Sequence, residues 1–189
     1  MSAVIYLSIG SNMEDRAENI ISALSFLQSS GFVEIKKISR LYETSPVGPK
    51  QRNFYNIAVK AQTSLNPQDL LALVKQIECL IGRKPGKRWG TRLIDIDILF
   101  YNNLILCCHS GKSRNPSSVK MDPGLKHSGM TLCTLPLILP HKELLNRLFV
   151  MIPLAEIAPN LKHPVFNRKI KQILKDRLLT LKGQKVKIL

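Results

Sequence analysis

Two aspartates in the segment 87–100, Asp95 and Asp97, are the residues with the clearest capacity for chemistry. They lie in an alternating pattern that predicts a β-strand. The aspartates and Leu99 alternate with Ile94, Ile96, Ile98 and Phe100. Side chains two residues apart on a strand share a face and lie about 6–7 Å apart. Two carboxylates at that spacing repel each other unless a cation neutralises them, so the pair is a candidate cation site.

Cationic residues precede this strand, interspersed with Gly86, Trp89 and Gly90; they are Arg83, Lys84, Lys87, Arg88 and Arg92. Guanidinium groups bind phosphate oxygens, and carboxylates hold Mg²⁺ together with substrate phosphates. Asp-x-Asp is also common at a solvated sheet edge, and a basic run is often an exposed loop. Because carboxylates in an otherwise apolar run are costly unless they are paired or coordinated, we favour a site for a metal-bound nucleotide.

The elements that must position these residues follow a β-α-β-β-α-β order. Strands are predicted at 4–9, 33–41, 55–63 and 94–100, and helices at about 16–28 and 67–81. Asn66 is a good N-cap for the second helix and Pro67 fits its first position, whereas Gly10-Ser11-Asn12 is typical of a turn. We therefore expect an α+β fold, a ferredoxin-like βαββαβ core sandwich. Added C-terminal elements are a helical or turn segment at 153–160 and a helix at about 167–179.

The chain of 189 residues is most simply one domain over residues 1–189. We expect a flexible surface insertion at 107–134, where no hydrophobic period is visible, and a basic C-terminal tail at 180–189. The spacing of the cysteines and histidines in the insertion matches no common zinc template. The connection at 42–54 carries two prolines and a glycine, and loops of this length are more often functional than idle.

The formal net charge of +15 is the unusual feature of the composition. It favours an anionic partner, and its even distribution does not choose between a polyphosphate ligand and nucleic acid. No apolar run reaches the length of a membrane span, and the N-terminus lacks the features of a signal peptide. The four cysteines fit no disulfide framework. We therefore expect a cytoplasmic protein with no membrane partner.

Several motifs resemble the 6-hydroxymethyl-7,8-dihydropterin pyrophosphokinase family. They are Ile9-Gly10-Ser11-Asn12, Thr44-Ser45-Pro46-Val47-Gly48-Pro49, Phe54-Tyr55-Asn56, Gly90-Thr91-Arg92-Leu93-Ile94-Asp95-Ile96-Asp97, Leu139-Pro140-His141 and Asn146-Arg147-Leu148-Phe149. The resemblance covers residues 4 to about 174 apart from the insertion. It implies a folate-pathway transferase of ferredoxin-like fold, in which the pterin hydroxymethyl oxygen attacks the β-phosphorus of ATP and AMP leaves. It also implies two Mg²⁺ ions with ATP as co-substrate, and we expect a monomer that does not bind nucleic acid.

The resemblance also implies roles for individual residues. Asp95 and Asp97 would hold both magnesium ions and act in catalysis with Arg83 and Arg92. ATP would be bound by Glu78, Lys84, Trp89, Arg92, Ile98, His141 and Arg147. The pterin would be bound by Thr44, Val47, Phe54, Asn56, Asp95 and Phe149. Within this set, the two phenylalanines would stack on the flat ring and the asparagine would hydrogen-bond the aminopyrimidine edge.

Two other functions stay open from the sequence. The charge favours a nucleic-acid-binding module of ferredoxin-like topology, although no Arg/Lys-Gly-Phe strand motif appears and paired aspartates repel a phosphate backbone. A catalytically impaired relative is favoured by the insertion and by Pro136 and Ile138, where relatives often carry a basic residue and a threonine. The plain alternatives for single residues are a solvated helix face for Glu78 and a core position for Phe149.

Overall fold

The computed structural model describes residues 2–83, 90–106, 137–181 and 183–189. Within these ranges, six strands form one antiparallel sheet and four α-helices pack on its two faces. The strands are β1 (Ala3–Ser11), β2 (Val33–Ile38), β3 (Tyr42–Thr44), β4 (Phe54–Thr63), β5 (Asp95–Tyr101) and β6 (Val186–Ile188). The helices are α1 (Arg16–Ser29), α2 (Pro67–Leu80), α3 (Leu148–Ile157) and α4 (Ile170–Thr180), with a 3₁₀ turn at Leu144–Asn146. Lys84, Trp89 and the expected insertion at 107–134 lie outside the described residues.

The sheet has the strand order β5-β1-β4-β3-β6, and β2 also pairs with β4. This antiparallel arrangement confirms the predicted ferredoxin-like core. The predicted second strand at 33–41 is shorter than expected, because the chain leaves the ladder after Ile38. Ser39 still contacts β4 through its backbone and its side chain. Its N–H donates to the Ala58 carbonyl and its Oγ accepts from the Ala58 N–H, each at 2.9 Å. The short strand β3 then follows inside the segment predicted to be an irregular connection.

Each face of the sheet carries its own apolar core. Helices α1 and α2 cover one face, and their apolar stripes pack on alternate residues of β1, β4 and β5, including Leu7, Val59 and Ile96. Helices α3 and α4 cover the other face, where they enclose Tyr6 and Phe100. The molecule therefore has three layers, helix pair on sheet on helix pair, as amphipathic elements require to bury both sheet faces.

The first two helices begin where side chains cap them. The Asp15 side chain accepts from the N–H groups of Ala17 and Glu18 at the start of α1. Asn66 does the same at the start of α2, with Pro67 in the first turn, and this confirms the predicted helix start. No helix in the described ranges combines the length and apolarity needed to cross a bilayer.

The structure corrects three further local predictions. Gly10 and Ser11 belong to β1 and do not form a turn. The alternation of β5 breaks at Leu99, where a register shift against β1 turns Phe100 toward the α3/α4 face, although the sequence pattern placed it with Ile98. The last residues, predicted to be a tail, contain β6, which pairs with β3.

Candidate active site

The register of β1 with its two neighbours, β4 and β5, brings polar residues into a row on the α3/α4 face. Gly10 of β1 lies opposite Asn56 of β4 on one side and opposite Asp95 of β5 on the other. Two residues earlier, Ser8 of β1 lies opposite Asp97. Because strand neighbours alternate faces, the apolar residues between these positions point into the α1/α2 core. The polar row is therefore held by the two hydrogen-bonded ladders that join β1 to β4 and to β5.

A cavity of about 320 Å³ opens over this row. It is bounded by the ends of β1, β4 and β5, the connection from β3 to β4, the segment before β5 and the residues around the start of α3. The residues that line it are Ser8, Gly10, Thr44, Ser45, Pro46, Val47, Gln51, Phe54, Asn56, Gly90, Arg92, Asp95, Asp97, Lys142, Glu143, Arg147 and Phe149. All six residues predicted to bind the pterin are in this set.

The Asp95 carboxylate is neutralised by two arginines. Its Oδ1 lies 2.8 Å from Nη1 of Arg83 and 3.0 Å from Nη1 of Arg92. The backbone of Arg92 is fixed in turn by the buried Asn12, whose Oδ1 accepts from the Arg92 N–H at 2.7 Å and whose own N–H donates to the Arg92 carbonyl. The same asparagine donates to Gln51 from its amide, so one side chain connects two loops of the cavity.

The Asp97 carboxylate faces two basic side chains from the C-terminal half of the chain. Its Oδ2 lies 3.3 Å from Nη1 of Arg147 and 3.9 Å from Nε2 of His141. Burial lowers the pKa of the His141 imidazole below its ordinary value, although the charge of Asp97 acts in the opposite direction. The imidazole is therefore neutral near pH 7, and Arg147 supplies the positive charge at this carboxylate.

Glu78 of α2 contacts β5 from the α1/α2 face of the sheet. The alternative prediction of a solvated helix face for this residue is wrong. Its side chain is buried and accepts from the Ile96 N–H at 2.7 Å, between the two aspartates. Lys75 and Arg83 pair with the same carboxylate. Burial raises the pKa of Glu78, while these cations and the backbone N–H oppose the shift. Gly82, with φ +102°, lets the chain reverse after α2 and return Arg83 to this cluster.

The pterin-binding candidates form one wall of the cavity. The Asn56 amide donates to Thr44 Oγ1 at 2.7 Å, which fixes its orientation in a buried position. Gly10 beside it leaves no room for a larger residue, because a Cβ there would lie 2.6 Å from Asn56 Oδ1. Phe54 and Phe149 contribute flat apolar surface to the same cavity, and this excludes a fully buried core position for Phe149.

The predicted ATP residues are divided by the structure. Arg92 and Arg147 line the cavity, and His141 lies at its edge beside Asp97. The side chains of Glu78 and Ile98 do not line it, since the first is buried under β5 and the second is in the α1/α2 core. Their roles at a nucleotide stay predictions, as do those of Lys84 and Trp89.

Several lining residues were not predicted from the sequence, and of these Lys142 and Glu143 are the most polar. They directly follow the motif Leu139-Pro140-His141, and this adjacency could have indicated that they lie near the site. Ser8 lies inside the strand predicted at 4–9, and Gly10, one residue beyond its predicted end, shares the same face of β1. Gln51 is held by Asn12, a contact across 39 residues that no local pattern indicates.

The chain is similar to known pyrophosphokinases over most of its length. A family model described as 7,8-dihydro-6-hydroxymethylpterin-pyrophosphokinase (HPPK) matches residues 6–159. The chain is 36% identical over 178 residues to the 2-amino-4-hydroxy-6-hydroxymethyldihydropteridine pyrophosphokinase of Aquifex aeolicus (strain VF5), with 94% of each chain covered. It is 37% identical over 159 residues to the protein of the same name from Bacillus subtilis (strain 168), covering 84% of this chain and 80% of the relative.

Solved structures share the fold. An HPPK-DHPS in complex with substrates matches with a TM-score of 0.68 and 16% identity, over 98% of this chain and 47% of that one. A Plasmodium falciparum HPPK-DHPS variant with pterin and p-hydroxybenzoate matches with a TM-score of 0.70 and 19% identity, over 97% of this chain and 45% of that one. The chain thus spans less than half the length of these solved proteins, and at such identities the likeness concerns the fold alone.

The family match over most of the chain and the identity to full-length relatives agree with the motifs that surround the cavity. The chain therefore belongs to the 7,8-dihydro-6-hydroxymethylpterin-pyrophosphokinase family, and its activity is pyrophosphoryl transfer with a pterin substrate in folate biosynthesis.

Proposed function

We propose that the cavity beside Asp95 and Asp97 is the active site, where 6-hydroxymethyl-7,8-dihydropterin binds next to ATP and two Mg²⁺ ions. The observation that carries the proposal is the strand register, which brings Asn56 and both aspartates to one cavity. In the reaction, the pterin hydroxymethyl oxygen attacks the β-phosphorus of ATP. The bond from that phosphorus to the oxygen shared with the α-phosphorus breaks, AMP leaves with that oxygen, and the proton of the hydroxymethyl group passes to water.

The two carboxylates fit magnesium that arrives with a nucleotide. Mg²⁺ is usually bound by one or two carboxylates plus substrate phosphates, and it retains several waters. Among the described residues, no group of three or more His, Cys, Asp or Glu side chains could hold a metal by protein ligands alone. Asp95 and Asp97 would therefore hold the metal with ATP. Bound there, Mg²⁺ would neutralise phosphate charge and help to lower the proton affinity of the attacking hydroxyl.

The arginines around the aspartates would bind phosphates. Arg83 and Arg92 neutralise Asp95 here, and Arg147 lies against Asp97. When cations bind the carboxylates directly, these guanidinium groups are available to phosphate oxygens, which they bind through paired hydrogen bonds. Positive groups fixed around a transferring phosphoryl group stabilise the charge of the transition state. Positioning and charge would thus supply most of the acceleration.

The pterin would lie between the aromatic side chains of the cavity. Phe54 and Phe149 offer faces for stacking, and the Asn56 amide, oriented by Thr44, offers a hydrogen-bonding edge to the aminopyrimidine. Stacking fixes the plane of the ring and the amide fixes its rotation in that plane. The hydroxymethyl group would then project toward the aspartates.

The test is AMP release from ATP by the purified chain, with and without the pterin, and with Mg²⁺ or excess EDTA. We expect AMP only when pterin and Mg²⁺ are both present. Phe54→Ala should raise the KM for the pterin about tenfold and leave the KM for ATP nearly unchanged. Phe26→Ala, which truncates an exposed phenylalanine of α1, is the matched control and should change neither constant.

Other outcomes would point to the alternative functions. Binding of ATP and pterin without AMP release would indicate an impaired relative. Tight, salt-sensitive binding of RNA without pterin activity would indicate a nucleic-acid module. Magnesium-independent turnover would contradict the metal role of the aspartates.

A further inference from the structure

The C-terminal segment (residues 183–189) lies beyond residues 6–159, which the family model matches. Its strand β6 extends the sheet by pairing with β3. The pairing continues past the strand, because the Ser45 N–H donates to the Lys185 carbonyl at 3.0 Å and the Lys185 N–H donates to Ser45 Oγ at 3.1 Å. Ser45 lines the cavity. The segment is therefore attached directly to one wall of the candidate active site.

Gln184 of the same segment contacts a second wall. The Leu148 N–H donates to Gln184 Oε1 at 2.8 Å, and Gln184 Nε2 donates to the Asn146 carbonyl at 2.9 Å. Leu148 is the first residue of α3, and Arg147 at the N-cap position makes no side-chain capping bond. The first N–H groups of a helix lack partners within the helix. Gln184 thus supplies, from 36 residues away, a cap that the local sequence does not provide.

These two hydrogen bonds flank Arg147 on both sides along the backbone. The Arg147 side chain reaches Asp97, and Phe149, two residues on, lines the cavity. Both side chains leave the backbone within the turn that Gln184 holds, so a shift of that turn displaces both. We propose that Gln184 is a positioning residue that directs Arg147 toward the aspartate and Phe149 toward the pterin, an inference that rests on the proposed function of the cavity.

The competing explanation is a helix cap that contributes stability alone. Such a cap would lower the melting temperature when removed but would not change substrate constants at temperatures where the chain stays folded. A positioning residue changes the KM for the pterin at those temperatures, because Phe149 no longer meets the ring in the same place. The KM for the pterin therefore distinguishes the two explanations.

The experiment compares Gln184→Ala with Lys187→Ala, a control on an exposed residue of β6, both in the full chain. We measure the KM for the pterin and for ATP, the melting temperature, and hydrogen exchange of the Leu148 amide. Gln184→Ala should raise the KM for the pterin about fivefold, because binding must then restore the order of the turn that carries Phe149, and should speed Leu148 exchange. Lys187→Ala should leave the KM and the exchange rate as in the wild type.

An unchanged KM for the pterin in Gln184→Ala would overturn the proposal and leave a stability role. Unchanged protection of the Leu148 amide would overturn it as well. If Gln184→Ala does not fold, Gln184→Glu provides the test, because glutamate keeps the acceptor for the Leu148 N–H and loses the donor to the Asn146 carbonyl. We expect Gln184→Glu to raise the KM for the pterin about twofold. A wild-type KM for the pterin in this variant would refute the positioning role. Absence of pterin-dependent AMP release by the wild-type chain would refute the proposed function instead. The exchange measurement would still test whether Gln184 holds the Leu148 amide.

Discussion

The two faces of β5 show how one strand serves both folding and chemistry. Toward α1 and α2, Ile96 and Ile98 are buried in a continuous apolar core. Toward α3 and α4, Asp95 and Asp97 point into a cavity and are paired with cations from three other parts of the chain. The apolar face is stabilised by the hydrophobic effect, which does not depend on the orientation of the groups. The polar face depends on charges held at defined distances from one another.

This difference has a practical meaning for substitutions. Truncation on the apolar face removes buried surface and leaves a cavity, so it should reduce stability before it reduces activity. Truncation on the polar face removes a proposed metal ligand or a charge at a partly exposed site, so it should reduce activity with little loss of stability. Adjacent residues of one strand should thus give opposite phenotypes.

The largest expected effect is on Asp97. Asp97→Ala should lower kcat by at least about 10³-fold, because a proposed metal ligand and its electrostatic contribution to the transition state are lost. The melting temperature should change by no more than a few degrees. Asp176→Ala is the control. It removes an exposed carboxylate of α4 that is paired with Arg168, and it should keep full activity. Near-wild-type turnover in Asp97→Ala would contradict the metal role.

The neighbouring residue should behave in the opposite way. Ile96→Ala should lower the free energy of unfolding by about 2–5 kcal/mol, since the side chain is buried at the centre of the α1/α2 core. Ile96→Val should cost less, about 0.5–1.5 kcal/mol. Urea denaturation measures both. The folded fraction should keep the wild-type KM for the pterin, and a large rise in that KM without loss of stability would contradict the division between the faces.

A smaller effect is expected at Gly10, where the polar face admits no side chain. Gly10→Ala should weaken pterin binding about tenfold, because the new Cβ would displace the Asn56 amide. Thr44→Val removes the hydroxyl that accepts from this amide and should have a weaker effect in the same direction. Fluorescence titration with the pterin measures both, and titration with ATP provides the comparison. Equal losses for the two ligands would argue against the role of Asn56.

The smallest effect concerns His163 in the α3/α4 core. Burial lowers its pKa below the ordinary value of 6.5, and its ring packs edge-on against Phe100. The unfolded chain binds a proton at the ordinary pKa, so it takes up more protons than the folded chain as the pH falls below about 6.5. Stability from this residue is therefore present above that pH and is lost as the pH falls through the lowered pKa. Urea midpoints between pH 7.5 and pH 5 should decline less steeply in His163→Gln, and an unchanged slope would refute this assignment.

Much of the core was predictable because its signals are local. The alternation around Asp95 and the cap at Asn66 each lie within a few residues, and the structure confirms the strand and the helix start that they predicted. The break at Leu99 was not predictable, because a β-bulge depends on the partner strand β1. The strand β6 was missed for a similar reason, since its three residues gain their order from pairing with β3.

The sequence by itself determined the chemical groups of the site, since the aspartate pair, the nearby arginines and the family motifs are all visible in the order of the residues. The tertiary structure alone decided which of these groups meet. Arg147 reaches Asp97 across 50 residues, and Gln184 reaches Leu148 across 36. The physical reason is range: periodicity and capping act over one or two turns of chain, whereas sheet register and layer packing bring together residues whose separation leaves no local trace.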